Sequence, residues 1–137
     1  MLEPGRISAL RSLCILAAAA ITFLLFYLGA QPFAAGLIPA RWDKLAHLAI
    51  FVTLTTLLLV GTAGRMPLAM IAIVIAIGAF DELHQASLPG RQADAADFLT
   101  DACAATGTGA LLLWFYARRK RARDAGFHQQ EKAVRQA

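Results

Sequence analysis

Long apolar stretches alternate with short charged ones along this chain. Four segments are apolar over almost all of their length, namely residues 13–30, 45–63, 67–80 and 98–117. A membrane-spanning helix needs about 20 mostly apolar residues. The third segment reaches that length only if its helix continues through the residues that follow it, DELHQA. The pattern therefore predicts four transmembrane helices, of which the third carries Asp81 and Glu82 near its end.

The composition agrees with a membrane protein. Of the 137 residues, 58% are hydrophobic and 16% are charged, whereas a soluble domain carries about 25% charged residues. A chain of this length forms a single domain, so we expect residues 1–137 to form one all-α bundle. The first apolar segment follows Arg6 and Arg11, as in a signal peptide, but it is longer than usual and GAQPFAAG is a poor cleavage site. We therefore expect it to remain as a transmembrane helix.

Basic residues are unequally divided between the two sides that this topology defines. One side holds the N-terminus, the turn around Arg65 and the tail from Arg118 onwards, with ten of the 13 Lys and Arg residues, and the other holds Arg41, Lys44 and Arg91. Because Lys and Arg near span ends stay on the cytoplasmic side, we expect both termini in the cytoplasm. The segment 118–137 is then a basic cytoplasmic tail. Such a cluster can bind anionic lipid, but the asymmetry alone accounts for it, and we expect an anchor that frays into solvent.

Polar residues of the opposite side, here called the outer side, come from three helices and one loop. The second helix begins with WDKLAHLAIF, which places Asp43 and His47 one turn apart on the same face. The third helix ends, and the fourth begins, with further carboxylates. The polar residues expected at the outer face are Asp43, Lys44, His47, Asp81, Glu82, Gln85, Arg91, Asp94, Asp97 and Asp101, with His84 beside them on the third helix.

Some of these carboxylates have an ordinary structural explanation, and others do not. Asp43 and Asp97 suit helix N-termini, where a carboxylate contributes about 0.3–1 kcal/mol. Asp81 and Glu82 instead lie near a helix C-terminus, where the helix dipole opposes negative charge. Ionisable groups at membrane depth usually face a bundle interior or a wet cavity. The pair at the end of the third helix therefore needs a cation, a proton or water.

Arg91 is the nearest cation in sequence to this pair. A guanidinium stays charged at any working pH and can bridge two carboxylates. We therefore expect Arg91 to fold back towards Glu82 or Asp97, with His47 in the same pocket.

The outer residues suit proton transfer and polar binding better than other chemistry. The candidates for acid–base catalysis are His47, Glu82 and Asp97. The candidates for ligand binding are Asp43, Lys44, Gln85, Arg91, Asp94 and Asp101. A metal site is conceivable from His47 and the carboxylates, but the sequence has no His-Glu-x-x-His motif and we expect neither metal nor cofactor. Ser87 lacks a nucleophile elbow, and whether the protein is an enzyme stays open.

Three short motifs together resemble the VanZ-like family. They are DKxxHxxxF at 43–51, DExxQ at 81–85 and PGRxxDxxD at 89–97, and the resemblance covers roughly residues 41–112. It implies a small multi-pass protein of the bacterial cytoplasmic (inner) membrane and cell envelope. The family's namesake is associated with resistance to the glycopeptide antibiotic teicoplanin, and most members have no established activity. This chain has Asp101 where the family usually has asparagine.

Three functions suit these observations. In the first, the outer-face site binds or processes a polar or lipid-linked envelope ligand, with Lys44 and Arg91 holding its phosphate or carboxylate. In the second, the acids and His47 serve a proton- or cation-coupled transporter. In the third, the polar cluster only locks the helices of a non-catalytic assembly subunit. We expect membrane lipids and a lipid-linked or glycopeptide ligand as partners, and no nucleic acid, while the oligomeric state is open.

Overall fold

The computed structural model describes residues 3–34 and 37–136, with side chains for all of these except 40, 41, 128–134 and 136. This part of the chain contains helices and no strands. The helices are α1 (Pro4–Gly29), α2 (Ala40–Gly61), α3 (Pro67–Ala86) and α4 (Ala95–Gln136), with a 3₁₀ turn at Pro32–Ala34 between the first two. All four α-helices are long and apolar enough to cross a membrane. The predicted all-α bundle of four transmembrane helices is confirmed, and the protein is a multi-pass membrane protein.

Proline marks the start of two helices. Pro4 and Pro67 occupy the first turn of α1 and α3, where the N–H that proline lacks has no partner within the helix. From Pro67 the helix runs for 20 residues to Ala86. It therefore includes the DELHQA segment, without which the third helix would be too short to span a membrane.

A tight turn connects α2 to α3 and makes them antiparallel neighbours. Ala63 and Gly64 both have positive φ angles, 54° and 63°, and the N–H of Gly64 donates to the carbonyl of Leu59 at 2.8 Å. A Cβ atom on Gly64 would lie 3.3 Å from the ring of Tyr116 on α4. The turn therefore packs against α4, and we call this end of the bundle the turn end.

The first helix reaches the same end. A Cβ atom on Gly61 would lie 3.2 Å from the carbonyl oxygen of Arg11 and would overlap the side chain of Ile15. The N-terminal half of α1, the α2–α3 turn and Tyr116 therefore share one end of the bundle. The polar residues from the beginning of α2, the end of α3 and the beginning of α4 lie at the opposite end, which we call the site end.

The second helix is central to the bundle. It packs against α1, α3 and α4, and α3 also packs against α4. The core consists of Ala18, Phe51, Leu54, Val74, Ala104 and Ala105. Many large apolar side chains elsewhere, such as Leu16, Leu68 and Leu83, are exposed. A small core surrounded by outward-facing apolar residues suits a bundle whose outer surface contacts lipid.

Close helix contact depends on glycine at one position beside the polar residues. A Cβ atom on Gly78 of α3 would lie 3.0 Å from Cβ and Oδ2 of Asp101 and 3.2 Å from the ring of Phe51. Small residues allow membrane helices to approach closely. Gly78 thus brings α3 against both α2 and α4 at the depth of Asp101.

The fourth helix differs from the expectation for the basic tail. Instead of fraying after residue 118, the backbone stays helical to Gln136, which makes α4 42 residues long. The tail is rich in Ala, Arg, Lys and Gln, which are strong helix formers. The guanidinium of Arg118 also lies 4.7 Å from the centre of the Trp114 ring, which is a cation–π contact at the start of the tail.

Candidate functional site

The deepest polar contact at the site end joins α2 to α4. His47 Nδ1 lies 3.0 Å from Oδ1 and 3.3 Å from Oδ2 of Asp101. His47 is 8% exposed and Asp101 is fully buried. The His47 ring also stacks parallel to Phe51, one turn further along α2. These contacts fix the orientation of the imidazole, since both the carboxylate and the aromatic ring constrain its plane.

Lys44 forms the second link between α2 and α4. Its Nζ donates to Asp97 Oδ1 at 2.8 Å and to Asp94 Oδ2 at 3.1 Å. Asp97 is largely buried, whereas Lys44 and Asp94 are about half exposed. Asp94 also accepts the N–H of Ala96 at the start of α4. This hydrogen bond, and then the one from Lys44, lower the pKa of the Asp94 carboxyl below its ordinary value.

Glu82 connects the end of α3 to the start of α4. Its Oε2 accepts the backbone N–H of Asp94 at 2.7 Å. Its other oxygen, Oε1, is buried and has no hydrogen-bond partner among the described residues. A buried carboxylate oxygen without a partner is costly, so this oxygen marks a point where a further group would be stabilising.

Asp81 is held from within its own helix. Gln85 Nε2 donates to Asp81 Oδ2 at 2.8 Å, and Asp81 is only 2% exposed. The two residues lie one turn apart on α3, which is the spacing at which side chains of a helix meet. Gln85 therefore orients Asp81 and does not neutralise its charge.

Arg91 does not occupy its predicted position. Its Nη2 donates to the carbonyl oxygen of Ala34, at the end of the 3₁₀ turn, at 3.1 Å. The cation that contacts Asp97 is Lys44, and the group that contacts Glu82 is the N–H of Asp94. The expected bridge from Arg91 to Glu82 or Asp97 is therefore wrong, because the α3–α4 loop directs Arg91 towards α1. The side chain of Arg41 lies outside the described residues.

A cavity of about 510 Å³ is lined by both Arg91 and the buried Asp81. Its polar wall combines α2, α3 and the α3–α4 loop, and consists of Asp43, His47, Asp81, Gln85, Arg91 and Gln92. Arg91 and His47 both line this cavity, but Glu82 and Asp97, the expected partners of Arg91, are not among its lining residues. The apolar part of the lining, here called the apolar wall, comes mainly from α1 and the segment after it, with Ile21, Leu24, Leu25, Leu28, Phe33, Leu37 and Ile38, and α2 adds Ala46 and Ile50.

This apolar wall was not among the sequence-predicted site residues. Leu24 and Leu28 of α1 look like any lipid-facing residues of a membrane helix, and the resemblance to known motifs begins only after α1. The signal that could have identified them is the short connection from α1 to α2, because it places the end of α1 beside the start of α2. The sequence alone does not tell which face of α1 turns inwards.

All ten predicted polar residues lie at the site end, but they form two groups. Five of them line the cavity, namely Asp43, His47, Asp81, Gln85 and Arg91. The others tie the helices together behind it, and are Lys44, Glu82, Asp94, Asp97 and Asp101. His47 belongs to both groups, since one ring nitrogen faces Asp101 while the residue lines the cavity.

No protein-family model, curated protein or solved structure matches the chain. The class of protein is therefore defined by its own fold and site. It is a four-helix membrane protein with a partly buried network of acids, His47 and Lys44 at one end, beside a cavity lined by apolar residues mainly from α1 and by polar residues from α2, α3 and the α3–α4 loop.

Proposed function

We propose that this protein is a VanZ-like integral membrane protein of the bacterial cell envelope, and that its cavity binds an amphiphilic envelope ligand. The observation that carries the proposal is the division of the cavity into an apolar wall and a polar wall. A purely polar ligand would leave the apolar wall in contact with water, and a purely apolar ligand would leave the polar wall without hydrogen-bond partners. A lipid chain with a polar headgroup matches both.

The apolar wall suits a lipid chain. Leu24, Leu25 and Leu28 belong to a helix that is long and apolar enough to lie in the bilayer. Each methylene of a chain that is buried against such side chains contributes about 0.8 kcal/mol. The hydrocarbon part of the ligand would therefore lie along the C-terminal half of α1.

The polar wall suits an anionic headgroup. Arg91 is half-buried and uses one N–H to hold the Ala34 carbonyl. A guanidinium has five N–H donors, and its geometry matches phosphate and carboxylate groups. The remaining donors of Arg91 are available to a phosphate or carboxylate in the cavity. Lys44, in contrast, is engaged by Asp94 and Asp97, so we assign the headgroup contact to Arg91.

His47 gives the site a capacity for acid–base chemistry. A histidine whose Nδ1 is held by a carboxylate presents Nε2 as the nitrogen for proton transfer. His47 has this arrangement with Asp101 and lines the cavity. If the bound ligand carries a hydrolysable bond beside its headgroup, His47 is the residue that would transfer the proton.

The scarcity of polar side chains between the site end and the turn end favours ligand binding over transport. Thr55 is fully buried, but its hydroxyl donates to the carbonyl of Phe51 in its own helix. The described core between the site end and the turn end otherwise consists of apolar residues such as Leu54 and Val74. A proton or cation path requires polar groups that continue across the membrane, and these side chains do not supply one.

We place the site end on the outer face of the cytoplasmic membrane and both termini in the cytoplasm. The turn end carries Arg6, Arg11, Arg65 and the basic tail, which is the distribution that the positive-inside rule associates with the cytoplasm. An outer-face cavity at headgroup depth is accessible to lipid-linked envelope precursors. A link to glycopeptide resistance follows from the resemblance to the VanZ-like family and is part of the proposal.

The test compares two lipids that differ only in charge. Native mass spectrometry of the detergent-purified protein would measure binding of a polyprenyl phosphate and of the polyprenol with the same chain. We expect preferential binding of the phosphate, and we expect Arg91→Gln to abolish the preference while some chain-dependent binding remains. The matched control is Arg65→Gln, which removes an exposed arginine from the turn end. Equal binding of both lipids by the unaltered protein would contradict the proposed headgroup site.

A further inference from the structure

Three buried side chains from two helices bring their ligand atoms together beside the cavity. One ring nitrogen of His47 and one carboxylate oxygen each of Asp81 and Glu82 all lie within 4.8 Å of one another. Their residues are 8%, 2% and 8% exposed, respectively. One imidazole and two carboxylates form a common ligand set for divalent metal ions.

An independent observation indicates that this group lacks a partner. Glu82 is more than nine-tenths buried, and its Oε1 makes no hydrogen bond among the described residues. Its Oε2 is already used by the N–H of Asp94. Oε1 is therefore the oxygen that remains for a cation, and its burial excludes an arrangement in which bulk water satisfies it.

Asp101 prepares His47 for metal binding. Metal-ligating histidines almost always donate their second ring N–H to a carboxylate or carbonyl, which fixes the tautomer and orients the ring. The contact between His47 Nδ1 and Asp101 at 3.0 Å has this form. In the tautomer that donates from Nδ1, Nε2 carries the free electron pair.

The nearby basic side chains are engaged elsewhere. Lys44 contacts Asp94 and Asp97, and Arg91 contacts the carbonyl of Ala34. Among the side chains that the structure describes, no Lys or Arg forms an ion pair with Asp81 or Glu82. Buried charges are normally paired or coordinate a metal, and a divalent cation would supply the charge that these two carboxylates lack.

We propose that His47, Asp81 and Glu82 bind one divalent transition-metal ion, Zn²⁺ or Mn²⁺, at the inner wall of the cavity. Ligand atoms at about 2.0–2.2 Å from a tetrahedral ion lie about 3.3–3.6 Å apart, so the three atoms, which lie within 4.8 Å of one another, would move closer by up to about 1.5 Å on binding. His47 and Asp81 line the cavity, so an ion bound to them would lie beside it. A second group of Asp43, His47 and Asp97 also lies within 4.8 Å, but Lys44 already neutralises Asp97.

The metal site rests on the geometry of these three residues and does not depend on the amphiphile. An ion on Nε2 of His47 would replace the proton-transfer role of that nitrogen, and it leaves the headgroup contact of Arg91 unchanged. A phosphate headgroup held by Arg91 would nevertheless be able to complete the coordination of the ion across the cavity. The test therefore uses metal alone, so that failure of metal binding leaves the lipid proposal standing and failure of lipid binding leaves the metal proposal standing.

The experiment uses the full chain, purified in detergent with its affinity tag removed and treated with EDTA. Equilibrium dialysis against Zn²⁺ or Mn²⁺, followed by elemental analysis, would measure bound metal per chain. We expect saturation at about one ion per chain, and at least a tenfold loss of affinity for Asp81→Asn and for Glu82→Gln. The matched control is Asp124→Asn, which removes an exposed carboxylate from the tail and should leave the affinity unchanged.

A second measurement keeps the proposal testable if either variant fails to fold. Pulsed electron paramagnetic resonance of Mn²⁺ bound to the unaltered protein should show a nitrogen coupling from the imidazole of His47, which His47→Gln removes. The proposal is overturned if the folded unaltered protein shows no saturable binding of either ion at tens of micromolar metal. It is equally overturned if folded Asp81→Asn and Glu82→Gln variants both keep full affinity, or if the bound Mn²⁺ shows no nitrogen coupling.

Discussion

His47 Nδ1 lies 3.0 Å from Asp101 Oδ1 in the interior of the bundle, and this contact joins α2 to α4. Asp101 is fully buried, so neither residue can exchange its partner for bulk water. The pair thus holds two helices together and orients the imidazole that lines the cavity. The contribution of its charge can be separated from that of its hydrogen bond, because a neutral side chain at 101 can still accept a hydrogen bond.

Replacing Asp101 with alanine should destabilise the protein strongly. The substitution leaves His47 buried without its partner, and breaking a buried pair in this way costs about 3–5 kcal/mol. Asp101→Asn should cost much less, because the amide oxygen can accept the N–H of Nδ1. The free energy of unfolding in mixed detergent micelles measures both. An Asp101→Ala protein as stable as the unaltered one would show that the pair contributes nothing to the fold.

Adding one methyl group at Gly78 should disturb the packing of α3 against Asp101 and so destabilise the protein. A Cβ atom there would contact Asp101 and Phe51 at 3.0–3.2 Å, and overpacking of this kind costs about 1–3 kcal/mol. Gly107→Ala is the matched control, because a Cβ atom at Gly107 meets nothing within 4 Å and alanine favours the helix. We expect Gly78→Ala to lower the unfolding free energy and Gly107→Ala to leave it unchanged or raise it. Equal effects would contradict the close packing at Gly78.

The proposed orientation in the membrane can be tested by labelling single cysteines in intact cells. Cys14 and Cys103 would first be replaced by alanine. An impermeant thiol reagent should then label cysteine introduced at Gln92, in the loop at the site end, because we place this end outside. It should not reach cysteine introduced at Arg65 or Ala125 until the membrane is opened. Labelling at position 125 in intact cells would contradict the proposed orientation and place the C-terminal tail outside.

The proposed link to glycopeptides predicts a phenotype. Expression of the protein in a teicoplanin-susceptible Gram-positive host should raise the inhibitory concentration of teicoplanin several-fold. Arg91→Gln should remove the effect if the headgroup contact underlies it, and Arg65→Gln should keep it at the same expression level. Unchanged susceptibility in cells that contain the protein in the membrane would contradict the link to resistance. It would not bear on lipid binding in the cavity, which the mass spectrometry experiment tests.

Much of the fold could be predicted from hydrophobic length alone. Four apolar segments gave four helices, and the minimum length of a membrane span required α3 to include Asp81 and Glu82. The short turn around Arg65 then made α2 and α3 neighbours, which placed His47 and Glu82 at the same depth. The structure brings their ligand atoms within 4.8 Å.

The pairing within the site could not be predicted in the same way. Sequence proximity favoured Arg91 as the partner of the acids, but Lys44 on α2 contacts Asp97 while Arg91 reaches the carbonyl of Ala34. Both side chains are long, so the direction of a loop decides which carboxylate each one can reach. The contact of His47 with Asp101 depends likewise on how closely α2 and α4 approach, and the hydrophobic pattern of the two helices does not specify that distance.

The length of α4 has a mechanical consequence. Asp97 and Asp101 of the site belong to the same uninterrupted helix as the basic tail, which ends at Gln136. At 1.5 Å per residue, the part of the helix beyond Asp101 is about 50 Å long. A tilt of only about 5° about that residue therefore displaces the far end by about 4 Å. A small change in the tilt of α4 at Asp101 therefore corresponds to a larger displacement of the far end of the basic tail.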